Sequence, residues 1–387
     1  MGKRAQNIIV STHDSLYPIT GGGALRTLKI AEEFKRRGHE VIIIAPTDGI
    51  DNLSGIKVHW LHAPKKQYSQ ILSTVKFNIR LARKFLQFGR WADIFVIHNT
   101  IAAVFMPFLK RIFRCRFVLD ITDIHAEYLP IGQRNGYEMI ATPFLMWYEY
   151  FIIRSADVVI TATEAMKKLL ISRGVDAAMI AVSYDGVQAE KFSLRKNADA
   201  ASAVIHLGTI DRQHGVADLV RALPVVLKAC PQVRFYFVGG GRELPAVKRL
   251  AVELGVSDKC IFTGYVSSEK AAGYLTGAAI GVIPRRDLLA NRIITTLKIY
   301  EYWASGTAVI ATSLEGIREI ANDGEHLLFV PSGDSIALSS ALISLLSDPV
   351  KRERLAAAGA AHVQGFSWEA SIHKIVDHAL GTGRGSR

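Results

Sequence analysis

Short, almost uninterrupted apolar runs alternate along this chain with longer stretches whose apolar residues return every three or four positions. Residues 7–10, 41–45, 58–61, 94–97, 117–121 and 158–162 are runs of the first kind, bounded by glycine, proline or polar residues, and they predict buried strands. The stretch from Ala24 has helical spacing and stops at Gly38, so residues 7–45 form a β-α-β unit. A second series of runs, at 204–207, 235–238, 261–262, 279–283 and 308–311, repeats the alternation. Strands that alternate with helices predict parallel sheets covered on both faces. Between the two series, LRKNADAASA (194–203) is polar, small and aperiodic, and reads as a linker. The expected division is residues 1–195, residues 202–368, and a last segment, 369–387, carrying a helix and a polar tail expected to be disordered.

Composition adds a compartment and a surface to that outline. Of 387 residues 49% are apolar, ample for two buried cores. Cys115, Cys230 and Cys260 stand far apart without a Cys-x-x-Cys, which argues against a disulfide framework or zinc knuckle and for a reducing compartment. The opening MGKRAQNIIVST enters a strand without an apolar leader, and no run reaches the ~20 apolar residues a spanning helix needs. A cytoplasmic protein is expected. Net charge is +12 and is concentrated, for residues 57–116 hold twelve Lys or Arg and one acid, Asp93. Within that region Ile71, Leu72, Val75, Ile79, Ala82 and Leu86 share helical spacing, with Lys76, Arg80, Arg83 and Lys84 displaced to another face. Such a helix either packs its apolar stripe on the sheet or lies on an anionic bilayer, which attracts each nearby cation by about 1 kcal/mol. The clustering favours peripheral attachment to the inner membrane face. Nucleic acid, the rival polyanion, is not expected, because no aromatic-interleaved platform accompanies the charge.

Candidate chemistry lies where strands end, since open α/β sheets hold ligands beyond the carboxyl ends of their strands. His98 and Asn99 end one strand of the first series; Thr122, Asp123 and His125 end another. Gly21, Gly22 and Gly23 precede a helix and allow close backbone approach to an anion, although their spacing is neither a dinucleotide fingerprint nor a P-loop. In the second series GTIDRQHG (208–215), VGGGREL (238–244), FTGYV (262–266) and PRRD (284–287) all lie at strand ends. The run LKIYEYWASGTAVIATSLEGIREI (297–320) reads as a helix carrying Lys298 and Glu301, a break at Gly306, a buried strand, and a loop with Gly316 that opens a second helix at 317–320. Free N–H groups at the start of the first helix suit a phosphate, and the Glu301 carboxylate can chelate a diol; a nucleoside diphosphate offers both. No Asp-x-Asp, His-Glu-x-x-His or carboxylate cluster suggests a metal.

These segments resemble, in order along nearly the whole chain, those of the family 4 glycosyltransferases. The resemblance implies the GT-B fold: two Rossmann-like α/β/α domains facing each other across a cleft, with a C-terminal helix that crosses back to the first domain. In that family the glutamate matching Glu301 binds the donor ribose. The commoner motif has a second glutamate eight residues earlier, where Ile293 stands here, and Lys298, Glu301 and Tyr302 match a sub-pattern with a lysine instead. Gly21–Gly23 with residues 38–41 resembles the opening segment that borders the cleft. Asp123 matches the aspartate of a frequent His-Asp pair whose histidine is replaced by Thr122, leaving His125 or His98 as substitutes. Residues 166–192 resemble the end of the first domain, with Asp185, Gly186, Val187 and Gln188 where Asn-Gly-Val-Asp is usual. FTGYV, with Gly264 and Tyr265, matches the segment whose backbone contacts the base, and Gly208 and Leu297 fall in the same donor site. The family's diphosphate-binding arginine and lysine correspond to Thr209 and His214, so Arg212, Lys298, Arg285 or Arg286 would supply that charge, Lys298 being the best placed. The resemblance implies retaining, metal-independent sugar transfer without a cofactor, from a nucleoside-diphosphate sugar to a lipid-linked or cell-surface polysaccharide precursor held at the basic first domain. A non-catalytic glycosyltransferase-like subunit that binds membrane or a partner is the alternative, favoured by the missing Glu, Arg and Lys. An epimerase or hydrolase on the same fold is third.

Overall fold

A computed structural model describes residues 4–17, 19, 21–46, 50–61, 70–131, 136–189, 192 and 203–382. The expected linker at 194–202 and the last five residues of the tail lie outside the described residues. The chain divides into two compact units, one made of Met1–Tyr184 with Glu369–Arg387 and the other of Asp185–Trp368.

The first unit is built on strands β1 (Asn7–Thr12), β2 (Glu40–Pro46), β3 (Asn52–Leu53), β4 (Ile56–Leu61), β5 (Ile94–His98), β6 (Arg116–Ile121), β7 (Val158–Thr161) and β8 (Ile180–Val182). Their order across the sheet is β3-β4-β2-β1-β5-β6-β7-β8, and every pairing is parallel except β3 with β4. Central parallel strands are covered on both faces, so they need apolar side chains at consecutive positions. Ile8, Ile9 and Val10 of β1 meet that need, as do Phe95, Val96 and Ile97 of β5, all buried. The helix Gly22–Arg36 packs Leu28, Ile30, Ala31 and Phe34 inward and stops before Gly38, whose φ of +85° suits only glycine well. It begins two residues before the expected Ala24, so Gly22 and Gly23 belong to its first turn and Gly21 is its N-cap. The helix Trp368–Ala379 buries Ile375 and Val376, and from it Asp377 and Ser371 bind Arg37 and Ser183.

The helix Gln70–Phe88 forms and turns Phe77, Leu81 and Phe85 inward, while Val75, Ile79 and Leu86 of the stripe read from the sequence are 48%, 44% and 54% exposed, so that stripe does not pack on the sheet. The helix carries two apolar stripes, and the one with two phenylalanines removes more apolar area from water. Arg80 and Arg83 are exposed among Val75, Ile79 and Leu86. The side chains of Ile71 and Leu72 lie outside the described residues. Among the described residues no helix is long and apolar enough to cross a membrane.

In the second unit β9 (Ala203–Leu207), β10 (Arg234–Val238), β11 (Cys260–Gly264), β12 (Ile280–Ile283), β13 (Ala308–Thr312) and β14 (Leu328–Val330) pair in parallel in the order β11-β10-β9-β12-β13-β14. Phe235, Phe237, Leu219, Leu223 and Leu342 lie in its core. The second helix of the run 297–320 is shifted by two residues, Glu315–Arg318 rather than 317–320, and contains Gly316.

Candidate active site

Each sheet has one point where its strand order reverses, and there the loops leaving two adjacent strands part to either side. In the first unit the reversal lies between β1 and β5; in the second it lies between β9 and β12. Both points hold a cluster of ionisable side chains.

In the first unit His98 is the last residue of β5 and only 2% exposed. Its Nδ1 is 2.8 Å from Asp120 Oδ2 on the neighbouring β6. Asp120 is in turn gripped by Arg26 of the helix Gly22–Arg36, with Nε 2.9 Å from Oδ2 and Nη2 2.8 Å from Oδ1, and both side chains are fully buried. Burial alone would raise the Asp120 carboxyl, but the Arg26 charge and the hydrogen bond from His98 hold it well below the usual carboxylate range. Burial likewise opposes charge on His98, and its hydrogen bond to Asp120 wins, raising its pKa. The other ring nitrogen, Nε2, faces Asn99 Nδ2 (3.2 Å), Thr122 Oγ1 (3.4 Å) and Asp14 Oδ2 (3.8 Å).

The backbone around this histidine is fitted to it. A Cβ on Gly23 would come within 2.6 Å of His98 Nε2, so the third glycine of the run makes room for the imidazole. Asn99 takes the unusual φ of +62°, and its Oδ1 accepts hydrogen bonds from the backbone N–H of Thr122 (3.0 Å) and Asp123 (3.3 Å), tying the ends of β5 and β6 together. Tyr128 donates to Asp123 Oδ1 at 2.7 Å. His125 meets His13 edge-on with ring centroids 5.4 Å apart, and burial, then the nearby His13, lowers its pKa to about 4. Its backbone N–H donates to Glu149 at 3.1 Å. The sequence-predicted His98, Asp123 and His125 therefore share one strand-end cluster, together with His13 and Asp14, which sequence reasoning missed.

In the second unit the strand end is glycine. Gly208 follows β9 with φ +114°, and a Cβ there would lie 2.5 Å from Lys298 Nζ, so the lysine crosses the strand end where no other residue leaves space. Lys298 projects from the first turn of the helix Leu297–Ala304, which Thr296 leaves without a side-chain cap. Glu301 follows it by three residues, and both are half-buried. Neither side chain has a hydrogen-bond or ion-pair partner among the described residues. Burial, then Arg285, lowers the Lys298 pKa to about 7, against a smaller pull from Glu301. Burial also raises the Glu301 carboxyl. His206 of β9 donates Nδ1–H to the Val282 carbonyl at 3.2 Å, and its Nε2 is without a partner; burial and then Lys298 push it down to about 3. His214, in the turn Arg212–His214, is 8% exposed with Nδ1 unpartnered, and burial followed by Lys298 and Arg285 holds its pKa far below the usual range.

The remaining expected donor residues are distributed unevenly around this cluster. Arg285 donates Nη1–H to Asn291 at 3.0 Å and leaves Nε unpartnered, whereas Arg286 is paired with Asp218 at 3.1 Å. Arg212 is exposed, and Thr209 and Leu297 are half-buried beside Gly208 and Lys298 in sequence. Gly264 has φ +68°, and the following Tyr265, 77% exposed, rests its ring against Gly240, where a Cβ would come within 2.7 Å. Ile293, at the position of the commoner second glutamate, is buried.

Two family profiles cover this chain in turn, one described as Glycosyltransferase Family 4 over residues 20–191 and the other as Glycosyl transferases group 1 over residues 201–348. A phosphatidyl-myo-inositol mannosyltransferase of Mycobacterium leprae (strain TN) is 26% identical over 368 residues, 93% of each chain. Among solved structures, sucrose-phosphate synthase from Thermosynechococcus elongatus superposes with a TM-score of 0.80 at 20% identity, covering 97% of this chain and 98% of its own. Anabaena Alr3699/HepE in complex with UDP-glucose gives 0.75 at 18% identity, covering 97% and 100%. At such identities the two structures share the fold.

Proposed function

The protein belongs to family 4 of the glycosyltransferases, and we propose that it moves a sugar from a nucleoside-diphosphate sugar held by the second unit to an acceptor hydroxyl received at the His98 cluster of the first. The observation that carries the donor assignment is the Lys298–Glu301 pair beside Gly208 at the reversal of the second sheet. A carboxylate there can accept from both ribose hydroxyls, and hydrogen bonds to a charged group contribute roughly 1.5–3 kcal/mol each. Lys298 and Arg285 would supply the positive charge that the departing diphosphate needs, which supports a reaction without a metal or other cofactor. Among the described residues no group of three or more His, Cys, Asp and Glu is arranged to hold a metal ion. At the acceptor side His98 Nε2, Asp14 and Asp123 are suited to bind sugar or polyol hydroxyls. The Mycobacterium leprae relative is a phosphatidyl-myo-inositol mannosyltransferase, which supports a lipid-linked acceptor.

The reading extends to the inner face of a membrane and includes no nucleic-acid partner. The outward Val75, Ile79 and Leu86 with Arg80 and Arg83, and the exposed Phe108, Ile112, Phe144 and Trp147, support contact with an anionic lipid surface. Purified protein incubated with nucleotide-sugars, with and without membrane lipid and with EDTA, tests the whole. Nucleoside diphosphate released only with lipid acceptor, and undiminished by EDTA, is expected. Release without acceptor would mark a hydrolase, and loss of release in EDTA would end metal independence.

A further inference from the structure

Beyond the Lys298–Glu301 pair, the donor cluster gathers several basic side chains around a single carboxylate. Lys298 feels Arg285 from the segment after β12 and Glu301 of its own helix, and it acts in turn on His206 of β9 and on His214 of the turn Arg212–His214. Four of the five become cations when protonated, and one carboxylate opposes them. His206 Nε2, His214 Nδ1 and Arg285 Nε are buried without a protein partner, so each has bonding capacity to offer a ligand. Gly208 brings the ammonium of Lys298 across the strand end into this group.

Resting on the donor assignment above, we propose that this glycosyltransferase takes up a proton at Lys298 when the diphosphate of its donor binds, so that donor affinity falls as pH rises through neutrality. The balance is simple. Free protein holds Lys298 partly as the neutral amine, because burial and Arg285 disfavour the ammonium; the diphosphate supplies two negative charges, the amine takes H⁺ from solvent, and the ammonium pairs with the diphosphate. Linkage then requires the reciprocal effect, since a ligand that binds the protonated form better is bound better when protons are plentiful. A nucleotide-sugar suits the test because each of its phosphates carries one ester and one anhydride link and has no hydroxyl that titrates near neutrality.

The experiment is isothermal calorimetry of UDP-glucose and GDP-mannose, each titrated into the full-length protein at pH 8 in Tris and in HEPES, whose different ionisation heats report the protons exchanged. With the free lysine at about 7, about 0.9 proton should enter per donor bound at pH 8, and affinity should fall roughly fifty-fold between pH 7 and pH 9. Arginine keeps its charge throughout this range, so Lys298→Arg should bind with no uptake and a flat profile. Lys298→Met should bind more weakly than the parent at pH 7, also without uptake. Equal heats in the two buffers with pH-independent affinity in the parent protein would overturn the proposal without any variant. Uptake that persists in Lys298→Arg would move the proton to a histidine and overturn the assignment to Lys298. Failure of both donors, and of UDP and GDP, to bind at any pH would sink the donor assignment itself, and this inference with it.

Discussion

The two strand-end clusters are built from similar residues and are in opposite electrostatic states. Around His98 the chain Arg26–Asp120–His98 is paired end to end and the shifts of Asp120 and His98 both favour their charged forms, while the neighbouring His13 and His125 each keep a buried Nδ1 without a hydrogen-bond partner. Around Lys298 the shifts of Lys298 and Glu301 both favour the neutral forms, and ring nitrogens are left over. A network satisfied within the chain fixes a side chain in place before any ligand arrives. One left unsatisfied can take a partner from a ligand. In the proposed reaction the first cluster would orient the acceptor and the second would hold the diphosphate, although both lie at the corresponding point of the same kind of sheet.

Breaking the satisfied network should have the largest effect. Asp120→Ala leaves Arg26 buried without its counter-charge and should cost about 3–5 kcal/mol, visible as a lowered urea midpoint. Little change in that midpoint would mean that the pair is solvated and the contrast false. The reverse holds at the other cluster, where Lys298→Met should leave stability unchanged or raise it, because it removes a charge that burial disfavours, and Glu301→Gln should weaken donor binding at least tenfold with the fold intact. Donor affinity equal to the parent's in Glu301→Gln would remove that residue from the site.

A third effect separates the clusters by pH. The Asp120 pKa is depressed on folding, so its contribution is fully present above the ordinary ~4 and is lost as pH falls through the lower native value; His98 is raised, so its contribution is fully present below ~6.5 and is lost as pH rises through the higher native value. Thermal stability of the first unit should therefore be greatest between those limits, and Asp120→Asn should flatten the alkaline side. An alkaline limb as steep in the variant as in the parent would detach His98 from Asp120. The smallest expected loss is in Asn99→Ala, about 1–3 kcal/mol from two backbone N–H groups losing their acceptor.

Much of this contrast was hidden in the sequence. The central strands were legible because parallel strands covered on both faces must be apolar runs, and the strand-end residues His98, Asp123, Gly208 and Arg285 followed from them. The two- and three-residue strands β3, β8 and β14 were not, since neighbours rather than their own composition define them. Periodicity located the helix Gln70–Phe88 but could not choose between its two apolar stripes. Arg26 and Asp120 are 94 positions apart; the available signal was an aspartate inside the apolar run FVLDI, which had to find a cation somewhere. That Lys298 lacks a partner is a property of three-dimensional surroundings, and the resemblance to a known donor segment identified the residue without its charge state.

The first unit is discontinuous in sequence, closed by residues 369–382 only after the whole of the second has been made. A chain ending at residue 368 would hold the whole of the second unit while the first still lacked the helix that buries Ile375 and Val376 and anchors Arg37 and Ser183. The unit begun first is finished last, and protein truncated after residue 368 should be protease-resistant over its later half and cleavable over its earlier one.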